Sequence, residues 1–288
     1  MTAAVTHARG MPTRTACAVV RDVLTATADE LSVAFTDLEG DVSIDRVHQA
    51  RVTIRRARSA LDLGNKVFAA GSVDSLRREL AWIMAALGDV RDADVMIRRL
   101  RSLEADEPLI AELVARRADA AARVQVVLHS RRSHDLLGML HDFAEHPPTV
   151  PQADDCAARR LRPILRKRWH NLSAAVDNLA SHPTPEQLHH VRILAKRCRY
   201  TCEICEREFG APAAKMAGRL QRVQDELGAL HDTGVLVARL RVLAALDPAL
   251  AFSAGRAAER ALTRDHADAR RWQRAWQRVN QPQVLRWL

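Results

Sequence analysis

Val47-His48-Gln49-Ala50-Arg51-Val52-Thr53-Ile54-Arg55-Arg56-Ala57-Arg58 is answered 141 residues later. The second copy is Leu188-His189-His190-Val191-Arg192-Ile193-Leu194-Ala195-Lys196-Arg197-Cys198-Arg199. Column by column, one histidine and four cations recur. A core-forming duplication repeats apolar positions; this one repeats its charges as well. On a helix each residue advances by about 100°. His48, Arg51, Arg55 and Arg58 therefore share one face, and Ala50, Ile54, Ala57 and Leu61 form the apolar stripe beside it. In the second copy His189, Arg192, Lys196 and Arg199 take the basic face, with Val191, Ala195, Cys198 and Cys202 on the stripe. The basic face abuts the edge of the core. Cations crowded there are costly unless anions neutralise them.

A second phrase repeats in the same order. Leu87-Gly88-Asp89-Val90-Arg91-Asp92-Ala93-Asp94-Val95 matches Leu227-Gly228-Ala229-Leu230-His231-Asp232-Thr233-Gly234-Val235, and Arg131-Arg132 is loosely echoed by Arg270-Arg271. Three phrases in order imply a duplicated half. A period this long predicts two similar subdomains with a pseudo-twofold relation, not a short-repeat solenoid.

Both phrases, doubled and in order, resemble those of the CHAD domain, the conserved histidine α-helical domain, and the likeness runs over roughly residues 15 to 280. The resemblance implies an all-α fold of two four-helix bundles around a basic central channel. It also implies inorganic polyphosphate as the ligand. That family is often fused to a triphosphate-cleaving CYTH domain, a β-tunnel. No stretch here reads as its strands, so a stand-alone version is expected.

Composition agrees with a helical protein. Hydrophobic residues make up 48% of the 288 and aromatics only 4%, so Ala, Leu, Val and Ile must build the core. The formal net charge is +9, and Lys66, Lys167, Lys196 and Lys215 are the lysines among 44 Lys and Arg residues. Arginine grips phosphate oxygens with a planar fork. A GC-rich coding bias would also raise the arginine count, but not the recurrence of particular basic columns. Five cysteines, odd in number and clustered, argue against a disulfide framework. Residues 1 to 14 lack the apolar core of a signal peptide, and the longest apolar run, residues 80–87, is too short to cross a bilayer. A soluble cytoplasmic protein is the expectation.

The chain reads as a disordered lead at 1–13, a first helical half at 14–146, a Pro-rich linker at 147–153, a second half at 154–281 and a tail at 282–288. Helical stretches are expected near 14–38, 45–67, 72–103, 108–145, 154–180, 184–208, 212–245 and 252–280. Ser43 and Ser72 stand where helices should begin, and Thr184-Pro185-Glu186-Gln187 reads as a capping box. Pro163 falls inside a helix, where a kink is expected.

The binding set expected from the phrases is His48, Arg51, Arg55, Arg56, Arg58, Arg91, His189, Arg192, Lys196, Arg197 and Arg199. Arg56 and Arg197 lie off the basic face, and either reach it from its flank or are simply solvated. Asp92 and Asp232 are expected to orient arginines, with Glu79 and Glu203 as further partners. Gly88 and Gly228, at matched mid-helix positions, imply the close approach of another helix. The function expected is non-catalytic polyphosphate binding, in the cytoplasm or at polyphosphate granules, alone or beside polyphosphate-metabolising enzymes. No catalytic residue or cofactor is assigned.

Two enzyme-like alternatives remain: a phosphate- or triphosphate-processing enzyme or its accessory subunit, and a metal-binding histidine domain. The nearest carboxylate pair is Asp92 with Asp94, and Asp94 becomes Gly234 in the second copy. Neither His48 nor His189 has a ligand at i+4. Cys198, Cys202 and Cys205 have the spacing of a core stripe. Nucleic acid is disfavoured because base-stacking aromatics are missing from the phrases, Tyr200 alone standing beside them.

Overall fold

The computed structural model describes residues 14–150, 155–268 and 270–288, the side chains of 265–268 excepted. The expected disordered lead and residues 151–153 of the Pro-rich linker lie outside that set. The fold is all-α. Helices α1 (Ala16–Gly40), α2 (Ile44–Gly64), α3 (Asp74–Ser102), α4 (Glu107–Leu128) and α5 (Arg131–Glu145) make up the first half. They are followed by α6 (Ala157–Asp177), α7 (Pro185–Ile204), α8 (Glu206–Phe209), α9 (Ala211–Leu246), α10 (Ala251–Asp268), α11 (Arg271–Val279) and α12 (Pro282–Leu285).

Local chemistry sets the ends. Thr15 caps α1 by accepting from the Ala18 amide. Thr184 and Gln187 form the reciprocal capping box at α7, so two of its orphan N-terminal donors are satisfied. The stretch expected as one helix at 108–145 is two, because the Ser130 hydroxyl accepts from the Ser133 amide and starts α5 afresh. Gly210 separates α8 from α9 at φ 65°, ψ −150°, a conformation open in practice only to glycine. Ser72 is not a cap: its hydroxyl donates to the Ala69 carbonyl and α3 begins after Val73.

Burial follows the apolar stripes. Ala50, Ile54, Ala57 and Leu61 are fully buried, and so are Val191, Ala195, Cys198 and Cys202. The first half closes around α1, which packs on α2 and α5, and the second around α9, which packs on α7, α10 and α11. The halves are joined by more than the linker. A third apolar cluster brings Ile97, Leu100, Leu109 and Leu113 of α3 and α4 against Leu236, Leu240 and Leu243 of α9 and Ala254, Ala257 and Ala261 of α10. Arg260 strengthens this junction by donating to the Leu103 and Glu104 carbonyls, both at 2.9 Å, where the end of α3 has run out of amide donors. Elsewhere α2 packs directly on α7. The two phrase-bearing helices thus meet across the molecule.

Candidate functional site: a basic groove between α2 and α7

Each arginine at the third position after the phrase histidine is seated by the second phrase. Arg51 donates to the Met84 carbonyl at 3.0 Å and lies over Gly88, where an added Cβ would stand 3.5 Å from its Nη1. Arg192 lies over Gly228 in the same way, its Nε 3.9 Å from such a Cβ. The close approach expected at the paired glycines is therefore made by a guanidinium, not by another helix. Asp92 acts electrostatically on Arg51, and Asp232 on Arg192. Both carboxyls sit above their usual range because burial outweighs those cations.

Past these seats, cations from both halves converge. A cavity of about 200 Å³ is lined by Arg55, Arg58, Ser59 and Asp62 of α2 and by Ile193, Lys196, Arg197 and Tyr200 of α7. Arg55 Nε donates to the Tyr200 hydroxyl at 2.9 Å, a bond that crosses from one half to the other. Lys196 makes no ion pair among the described residues. Burial, then repulsion from Arg55, Arg192, Arg51 and Arg58, brings its ammonium down to about 8. Like charges this crowded hold a standing demand for an anion.

The histidines differ. His48 is exposed overall, and its pKa is lowered by partial desolvation of the ring and by Arg91, Arg55 and Arg98. His189 is half-buried with its Nδ1 unpartnered, and its ring centroid lies 4.7 Å from that of His231. His231 is lowered by burial, then by Arg192 and His189. Arg91, matched to His231 in the second phrase, is lowered by burial and by Arg98, and it also faces Asp232 across the halves. So Arg91 and His231 both stand at the junction.

Two expected members are already engaged. Arg56 is held by Glu30 at 2.8 Å, on the α1 side of α2. Arg199, its side chain only 14% exposed, faces Glu203 at 3.4 Å and lies 4.3 Å above the Tyr200 ring. Of the flanking pair, Arg197 does line the groove and Arg56 turns from it. Glu79 is spent on Arg132 at 2.6 Å, away from either phrase.

Tyr200 and Arg98 were not expected. Arg98 could have been found at i+7 from Arg91, two turns along the same face of α3. Tyr200 could not, because its column in the first copy is Ser59 and its bond partner lies 145 residues away.

The remaining chemistry candidates are structural. Asp94 is buried and paired with Arg117 at 2.8 Å, and Arg117 also donates to the Val42 carbonyl. Cys198, Cys202 and Cys205 are buried free thiols. The Cys198 hydrogen bond and burial raise Cys202, and burial pushes Cys205 up to about 12, so neither is a ready thiolate.

A family model described as the CHAD domain matches residues 22–241, and the chain belongs to that family. Over 179 residues it is 34% identical to uncharacterized proteins of two Mycobacterium tuberculosis strains; the match covers 54% of this chain and 33% of each of theirs. The chain thus spans about a third of the length of those relatives. PptA from Streptomyces chartreusis has a similar fold, with a TM-score of 0.76 and 21% identity over 92% of this chain and all of that one. So does the CHAD domain from the plant Ricinus communis, at 0.74 and 21% over 88% of this chain and 87% of that one. At that identity the likeness is one of fold.

Proposed function

We propose that this CHAD-domain chain binds inorganic polyphosphate, without chemistry, in the groove between α2 and α7, with the two halves of the duplication contributing cations about a pseudo-twofold axis to one central channel. The observation that carries the reading is Lys196. It sits among Arg51, Arg55, Arg58 and Arg192, and the charges that act on it most strongly are positive. A linear anion would neutralise many of these groups at once, and release of its condensed counterions would supply much of the affinity. Monophosphate would meet the same charges one at a time.

Supports for a binding role over a catalytic one are the fates of the carboxylates. Asp94 is buried under Arg117, and Asp62, the acid of the groove, is held by Arg77 at 2.7 Å. Among the described residues no helix is long and apolar enough to cross a membrane. Polyphosphate granules are the place where such a binder would gather.

Calorimetric titration tests the reading. Long-chain polyphosphate should bind saturably, with orthophosphate giving little heat. If about six contacts form, affinity should fall about a thousandfold between roughly 50 and 200 mM salt. Equal affinity for both ligands, or a flat salt dependence, would sink it.

A further inference from the structure

The groove does not end with the repeated phrases. A second cavity, of about 330 Å³, lies beyond it between the end of α2, the start of α3, α6 and α7. It shares Asp62 and Arg197 with the first cavity and adds Lys66, Arg77, Lys167 and Arg168. None of these four added cations belongs to a repeated phrase, so no duplication placed them here.

Their states differ in a way that suits a ligand. Arg77 is taken up by Asp62. Arg168 is fixed from behind: it donates to the Thr201 hydroxyl and, at 3.2 Å, to the Arg197 carbonyl. Burial and the neighbouring Arg197 lower its pKa, while Asp62 counters them. Lys66, Lys167 and Arg197 are exposed, and neither lysine makes an ion pair among the described residues. A held arginine at the back with free cations at the rim leaves positive charge that Asp62 alone cannot offset.

The lysines point the same way. Four of the chain's 44 Lys and Arg residues are lysines, and Lys66, Lys167 and Lys196 line these two adjoining cavities. Lysine is a compact point charge on a flexible stem, whereas arginine demands a fixed bidentate geometry. A polymer that lies without a set register is served by the former.

We infer that the second cavity is an extension of the binding track, so that a polyanion seated between α2 and α7 continues over Arg197 onto Lys66, Lys167 and Arg168. The inference rests on the proposed function and deepens it: the ligand is a chain long enough to span both cavities. From Arg51 to Lys66 the backbone advances 15 residues, roughly 20 Å along a helix axis. A short oligophosphate cannot engage both ends of that track.

The test is calorimetry with two probes, long-chain polyphosphate and tripolyphosphate, on the full chain and on a Lys66→Gln/Lys167→Gln variant. Both lysines are exposed, so helical content and melting should be retained, and circular dichroism checks this. The variant should lose about tenfold in affinity for the long chain, with its salt slope smaller by about two, and change severalfold less toward tripolyphosphate. Unchanged long-chain affinity, or equal losses for both probes, overturns the extension and leaves the central groove standing. If the unaltered chain binds neither probe, the underlying reading fails and the extension goes with it.

Discussion

Helices α2 and α7 carry the same basic columns, yet the cations differ in what they are free to do. Arg51 and Arg192 match: each lies over a glycine with an aspartate at hand. Arg55 and Lys196 face each other's helix, one braced by Tyr200 and the other without an ion pair among the described residues. Further along, the copies part. Arg58 is exposed at the groove while its counterpart Arg199 is half-buried against Glu203 and Tyr200. Arg56 is tied to Glu30 while its counterpart Arg197 is free at the rim. Identical spacing reproduces a helix face; the neighbours of that face decide which charges remain for a ligand.

The largest effect should come from the columns that match. Arg51→Glu with Arg192→Glu reverses both seats and should lower polyphosphate affinity by about a thousandfold or more. Each new carboxylate also stands near Asp92 or Asp232, so some loss of melting temperature is expected. A helical protein that melts cooperatively but does not bind supports the reading. Loss of cooperative melting would show that the two arginines serve chiefly to hold the fold.

The columns that differ should give opposite results. Arg58→Gln should cost about tenfold in binding, near 1.4 kcal/mol, and leave stability unchanged. Arg199→Gln removes the partner of a half-buried carboxylate and should cost about 1–2 kcal/mol of stability, read by urea unfolding, with a smaller change in binding. Likewise Arg197→Gln should weaken binding more than Arg56→Gln, whose partner is Glu30. Equal effects within both pairs would mean that the copies are interchangeable.

Lys196 and Arg55 can be separated by pH. With its folded value near 8, against an ordinary value near 10.5, Lys196 loses its proton in the free protein as pH rises through about 8. A bound polyanion favours the charged form, so binding takes up a proton and affinity should fall severalfold from about pH 7 to 9. Stability should move the other way. Between about 8 and 10.5 the unfolded chain binds more protons than the folded one, so the cost of the crowded ammonium is relieved as pH rises. Lys196→Arg should flatten the binding profile, while Arg55→Lys should not.

The smallest effect belongs to His48. Its pKa is lowered in the free protein, so it is largely neutral above about 6.5, and a polyanion should restore its proton. In the Lys196→Arg background, where that lysine no longer titrates, affinity should improve two- to threefold as pH falls from about 8 to 6, and adding His48→Gln should remove that rise. A profile still rising in the variant would assign the titration to His231, which is lowered by burial and by Arg192.

Much of the architecture is legible in the chain because helical periodicity is local. The stripe at Ala50, Ile54, Ala57 and Leu61 had to be buried, and the Thr184–Gln187 box had to start a helix, whatever else the chain did. The recurrence of His48, Arg51 and Arg55 as His189, Arg192 and Lys196 was equally open, since it needs only the order of residues. Which cations share one groove was not. That depends on α2 packing on α7 and on the cluster joining Ile97 and Leu100 to Leu236 and Leu240, contacts between residues far apart in the chain. The same long-range packing brings Tyr200 to Arg55, Glu30 to Arg56, and Lys66 and Lys167 to the end of the track. Spacing along a helix fixes direction only; whether a charge meets an acid, a carbonyl or another cation is decided by what the remaining helices put in front of it.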